Sequence, residues 1–214
     1  MEIIRYTFDK LSKATSINDV TSILTDLQVD KKFQMDDKMY PPINFRITKN
    51  EIEGLLKEEL LTEEYFVKDV SNQNALTKLL YSMAWKNGDL KKIRHIIEGI
   101  ISENNYEKES ALVFYQFGKY LTKEPGEPII DQHVLRAFGI YKALNNQNEQ
   151  EIKRLTVLSV VTKKEKQLIN DYKDWLKNDL REELREHDDY AYYVDKVLFA
   201  VGKKVKNENF SFLS

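Results

Sequence analysis

The sequence predicts an all-α protein, and three observations carry that expectation. Apolar residues recur at helical spacing along most of the chain. Glycine and proline number only 7 and 4 in 214 residues, whereas turn-dense β-sandwiches need more of both. Two patterns, Ser16-Ile-Asn-Asp19 and Thr48-Lys-Asn-Glu51, stand directly before apolar runs, where capping boxes belong. The length suits one domain. We expect a helical domain over residues 61–214, with residues 1–60 as a helical N-terminal extension.

The elements follow in order. The first box leads into Val20, Ile23, Leu24 and Leu27. Residues 31–47 lack periodicity, and Pro41-Pro42 forces an extended or turning backbone there. The second box opens a helix carrying Ile52, Leu55, Leu56 and Leu60. From Asn74 to Trp85, apolar residues at 75, 76, 79, 80 and 83 predict a helix buried on a wide face. Gly88 suits its left-handed end, and Asp89 is placed to cap the next helix. That helix bears Leu90, Ile93, Ile96, Ile97, Ile100 and Ile101, and so short a turn makes the two helices neighbours. A polar loop over 103–108 precedes a helix predicted for Glu109–Leu121.

The loop Thr122-Lys-Glu-Pro-Gly-Glu-Pro128 delivers Ile129-Ile130-Asp131. Asp131 is the expected N-cap of a helix with Val134, Leu135, Phe138 and Tyr141 on its apolar face, and the helix dipole favours its charged form. After a polar stretch at 145–150, helical spacing resumes with Ile152, Leu155, Val157 and Leu158. It continues through Leu168, Ile169, Tyr172, Trp175, Leu176, Leu180 and Leu184. A last helix over Tyr190–Lys206 ends in a frayed tail from Asn209.

Composition excludes several function classes. Without cysteine there is no disulfide frame, thiol nucleophile or Cys-built zinc site. His95, His133 and His187 lie far apart and match no metal-ligand spacing, so we expect no metal and no cofactor. Neither a Gly-rich phosphate loop nor a Gly-x-Ser-x-Gly elbow occurs. No apolar run approaches the roughly 20 residues that span a bilayer, and the first ten residues lack a signal-peptide core, which points to the cytoplasm. Net charge is −2, against the basic excess usual in nucleic-acid-binding domains. Residues 72–145 are the one basic third, with 10 basic and 8 acidic side chains.

Within that third, Pro128-Ile-Ile-Asp131-Gln-His133-Val134-Leu-Arg136 resembles the Pro-Val-Asp-x-His-Val/Ile-x-Arg signature of helix-hairpin-helix DNA glycosylases. Phe117-Gly-Lys119-Tyr-Leu followed by the Pro-Ile-Ile-Asp131 step is similar to bacterial 8-oxoguanine DNA glycosylase-like proteins. The ending Asp195-Lys-Val-Leu198-Phe-Ala-Val-Gly202-Lys203 is similar to that group's C-terminal pattern. The likeness covers roughly residues 75–205. It departs from the family in two places. The segment Asn104–Leu112 holds no Gly-containing hairpin to grip a DNA phosphate, and Ala111–Val113 offers no lysine in the slot of the family's catalytic amine.

The resemblance implies a helix-hairpin-helix glycosylase fold and excision of a modified base, for instance an oxidised purine, from double-stranded DNA. A flipped base would enter a pocket, and Asp131 would stabilise the cationic sugar. Lys119, or else Lys108, stands as a displaced amine. Gln132, His133, Arg136 and Trp85 are the candidate substrate contacts, with Trp85 able to stack on a base. A pocket rimmed by Lys86, Lys91, Lys92, Lys119 and Arg136 would favour this reading. Two plainer readings stand beside it. Asp131 can be an ordinary cap, and the chain can be a non-enzymatic helical protein that binds DNA or a protein partner on a retained scaffold.

Overall fold

The computed structural model describes residues 1–68, 70–102 and 110–210, with residues 209 and 210 as backbone alone. The polar loop predicted at 103–108, with Lys108, and the tail beyond 210 lie outside the described residues. The fold is all-helical, with 64% of the chain in helix and no β-strand among the described residues. The chain divides into two compact units, one of residues 1–43 with 125–214 and the other of residues 44–124. This grouping differs from a cut after residue 60, because the first two helices pack on the C-terminal helices.

The first unit holds α1 (Glu2–Leu11), α2 (Ile17–Asp26), α7 (Gln132–Asn145), α8 (Glu149–Thr156), α9 (Lys166–Asn178), α10 (Glu182–Arg185) and α11 (Tyr190–Phe210). The Ser16 capping box forms as predicted, with Ser16 accepting from the Asp19 amide and the Asp19 carboxylate answering the Ser16 amide. Helix α7 is the centre, touching α1, α8, α9 and α11. It is buried nearly all round, from Val134 through Ile140, as suits a helix with neighbours on every side. Phe8 of α1 stacks on Tyr141 at 4.0 Å and meets Trp175 of α9 edge-on at 5.2 Å. Two glycines let helices close on α7. A Cβ at Gly139 would meet Leu155 at 2.8 Å, and one at Gly202 would meet the His133 carbonyl oxygen at 2.0 Å.

The second unit holds α3 (Lys49–Lys57), α4 (Ala75–Lys86), α5 (Leu90–Ile101) and α6 (Leu112–Leu121). The Thr48–Glu51 capping box forms, and Gly88 takes φ +70° after α4. Helices α5 and α6 touch backbone to backbone at Gly99 and Gly118, where either Cβ would lie 2.0 Å from a carbonyl oxygen of the other helix. Helix α6 starts at Leu112, since Ala111 sits at φ +53° and breaks the helical path, while Glu109, the predicted start, lies outside the described residues. Asp89 stands at the N-cap of α5 without a side-chain cap bond, because its carboxylate pairs with Lys92 at 2.5 Å instead.

Helix α4 is not buried on a wide face as its periodicity predicts. None of its residues is buried, and Leu76, Leu79, Leu80 and Met83 are 59–65% exposed. Those four lie on one helical stripe, while the half-buried Thr77, Tyr81 and Ala84 lie on another. Periodicity shows that a face is apolar; it does not supply an element to cover it.

Candidate functional site

Asp131 ends the extended Ile129-Ile130 step at φ −135°, ψ 176° and caps α7. Its Oδ1 accepts from the amides of His133 at 2.7 Å and Val134 at 2.8 Å. These are orphan donors that every helix start carries. Its Oδ2 accepts no hydrogen bond from the described residues, and the side chain is only half-buried. One oxygen is therefore fixed and the other is open. Burial pushes the carboxyl pKa above its ordinary value and outweighs the two amides and the charges of Arg136 and Lys203, which lower it. The helix start acts in the direction the sequence suggests, and desolvation is the larger effect.

Three residues on, Arg136 is 0% exposed. Its guanidinium donates to His133 Nδ1 at 2.6 Å, to the Gly202 carbonyl at 2.9 Å and to the Leu158 carbonyl. Its Nε finds no acceptor among the described residues, and burial lowers its pKa to about 10 against the raising effect of Asp131. Arg136 thus ties α7 to α11 and to the turn after α8. A guanidinium so enclosed orients its neighbours and does not reach a ligand from the surface. Because His133 Nδ1 accepts from Arg136, the geometry assigns the imidazole proton to Nε2. Burial, then Arg136, Lys206 and Lys203, push the His133 pKa down to about 4, so the ring is neutral at pH 7. Phe199 packs edge-on against it at 5.0 Å.

Gln132 is half-buried in the same turn, and its Oε1 has no partner among the described residues. Thus Asp131, Gln132 and His133 share one partly open helix start, with Arg136 beneath it. The segment before it is held by Asp195, which accepts from the Ile129 amide at 2.5 Å and from the Tyr172 hydroxyl at 2.6 Å. Asp195 is enclosed, and burial raises its pKa well above the ordinary range.

The remaining candidates lie in the second unit. Lys119 of α6 is 5% exposed and donates to the Ser102 carbonyl. Trp85 of α4 is 66% exposed. Lys86, Lys91 and Lys92 also belong to that unit. Within the Asp131 unit, Lys203 of α11 acts on Asp131 and, with Lys206, on His133; both are spaced to share a face with Phe199. A cavity of about 500 Å³ adjoins Lys203 and is otherwise lined by Lys32, Phe33, Asn207 and Glu208. Sequence reasoning passed over these lysines, although Gly202-Lys203 stood in the C-terminal pattern that gave the resemblance. Among the described residues, no group of three His, Asp or Glu could hold a metal ion, and no helix is long and apolar enough to cross a membrane. Comparisons with family models, curated proteins and solved structures give no match in any of the three.

Proposed function

We propose that the chain is a DNA base-excision glycosylase of the helix-hairpin-helix kind, acting on a modified base such as an oxidised purine. The observation that carries this reading is Asp131, a carboxylate with one oxygen fixed by a helix start, the other open, and Lys203 nearby. Breaking an N-glycosidic bond leaves positive charge on the sugar. A carboxylate that need not reorient stabilises that charge as it forms. Its raised pKa also makes it a stronger base toward an attacking water than an exposed aspartate. Lys32, Lys203 and Lys206 supply phosphate contacts on the same unit, each worth about one released counterion. Asp131 needs no amine partner for hydrolytic excision, so Lys119 is dispensable in this mechanism.

The test is base release from duplexes carrying 8-oxoguanine, uracil or alkylated bases, with wild type and Asp131→Asn compared. Asparagine caps a helix as well as aspartate does, so the variant keeps its fold. Loss of the carboxylate slows release by about 100- to 1,000-fold. No release from any duplex, or equal release by both proteins, refutes the mechanism.

The exposed stripe on α4 favours a second reading, a non-enzymatic helical protein that binds a partner. Contiguous exposed apolar surface marks interaction sites. Under this reading none of the duplexes loses a base, and Asp131 serves as a cap alone.

A further inference from the structure

We propose that Asp195 is the positioning residue of Asp131: it holds the Ile129-Ile130 step so that the carboxylate at the start of α7 presents one open oxygen. This deepens the base-excision reading and rests on it for its activity readout.

The step needs an acceptor from elsewhere. Residues 127–131 belong to no helix or strand, and the Ile129 amide bonds to no backbone carbonyl among the described residues. Asp195 of α11, 66 positions away in sequence, supplies the acceptor, its Oδ2 taking the Ile129 amide at 2.5 Å. Its Oδ1 takes the Tyr172 hydroxyl of α9 at 2.6 Å, so the carboxyl cannot swing without giving up a bond. Two residues before Ile129, the enclosed Glu127 is paired with Lys173 of α9 at 2.8 Å and with Lys177 at 3.2 Å. The chain is thus fixed four residues and two residues before Asp131. The amides of His133 and Val134 fix one oxygen of Asp131 relative to α7. The path by which the backbone enters the helix decides where the other oxygen points.

Stability alone does not account for Asp195. It is 3% exposed, forms no ion pair among the described residues, and feels the like charge of Asp131. Enclosing a carboxyl on those terms is costly, and apolar side chains of similar size fill a core at less cost. What an apolar side chain cannot do is accept from Ile129. Both protonation states of Asp195 keep both contacts, because a protonated Oδ1 donates to the Tyr172 oxygen in turn. The hold on the step is therefore steady whether or not Asp195 is charged.

The experiment compares wild type, Asp195→Ala and Asp195→Asn. The asparagine removes the charge and keeps the position, since its oxygen accepts from Ile129 and its amide donates to Tyr172. On duplexes from which wild type releases a base, Asp195→Ala lowers kcat by about 100-fold with KM unchanged, as a misplaced reacting group does. Asp195→Asn restores most of that rate. Leu11→Ala, at a fully enclosed position of α1, lowers stability and leaves kcat unchanged. A second readout needs no activity. In carbon-13 NMR of the full chain, the Asp131 carboxyl titrates above the ordinary aspartate range in wild type and in Asp195→Asn. It falls back toward that range in Asp195→Ala, as water enters the loosened turn. Arg136 and Lys203, which also act on Asp131, are untouched by these variants. Circular dichroism confirms folding. If Asp195→Ala does not fold, Tyr172→Phe carries the test, since it removes one of the two bonds and shifts both readouts the same way. A wild type that releases no base ends the excision reading, and the titration then decides this one alone. An unchanged kcat in Asp195→Ala beside an active wild type, an Asp195→Asn as slow as Asp195→Ala, or an Asp131 titration that no variant moves overturns the proposal.

Discussion

Replacing Gly202 by alanine sets two physical effects against each other, and their sizes decide the outcome. Gly202 lies inside α11, where alanine is the better helix former by about 1 kcal/mol. Its new Cβ, however, would sit 2.0 Å from the His133 carbonyl oxygen and 2.9 Å from the carbonyl carbon. Ordinary contact begins at 3.4 Å, so the two backbones must part by about 1.4 Å, the difference between 3.4 and 2.0. A side chain could swing away, but a helix backbone cannot. Overpacking costs about 1–3 kcal/mol, and a backbone clash belongs at the upper end. The net effect is a loss of about 2 kcal/mol, or a fall in Tm of about 4–8 °C for a chain of this size. Urea unfolding and calorimetry measure it. Gly54→Ala is the control, since its Cβ meets nothing within 4 Å, and it gains about 0.5–1 kcal/mol. A Gly202→Ala variant as stable as wild type, or more so, would refute the close approach of α7 and α11. The same shift would displace the Arg136 bond to the Gly202 carbonyl, so the Asp131 turn loses its support with it.

The other expectations are read more simply. His133 has a folded pKa of about 4 against an ordinary 6.5, so the unfolded chain takes up a proton first as pH falls. Stability is full above pH 6.5 and is lost between about 6.5 and 4, by about 1–2 kcal/mol once solvent screening is allowed for. His133→Gln flattens that part of the profile, and an unchanged profile would show that another group is responsible. Leu79→Gln on the exposed stripe of α4 changes stability by less than about 0.5 kcal/mol, whereas Leu135→Ala at a fully enclosed position costs about 2–5 kcal/mol. A large loss from Leu79→Gln in urea unfolding would mean that something covers α4.

What could be read from the chain follows the range of each interaction. The caps at Ser16, Thr48 and Asp131 act over two or three residues, so side chain and spacing suffice to find them. The helices follow from a period of the same local kind. Trouble begins where a residue's surroundings come from elsewhere. Leu76, Leu79, Leu80 and Met83 have the pattern of a core helix, but none of the described residues closes over them. Arg136 reads as a surface contact in a helix's first turns, yet a carbonyl 66 positions away encloses it. Lys203 reads as one lysine in a run, yet α11 brings it to Asp131. The charge state of Asp131 shows the consequence most clearly. Its cap is local and lowers the pKa, its burial is made by distant segments and raises it, and the distant effect is the larger. The position of the carboxylate is thus a property of ten residues, while its basicity is a property of the folded unit. Any chemistry at Asp131 depends on Gly202 and Arg136 as much as on the motif that contains it.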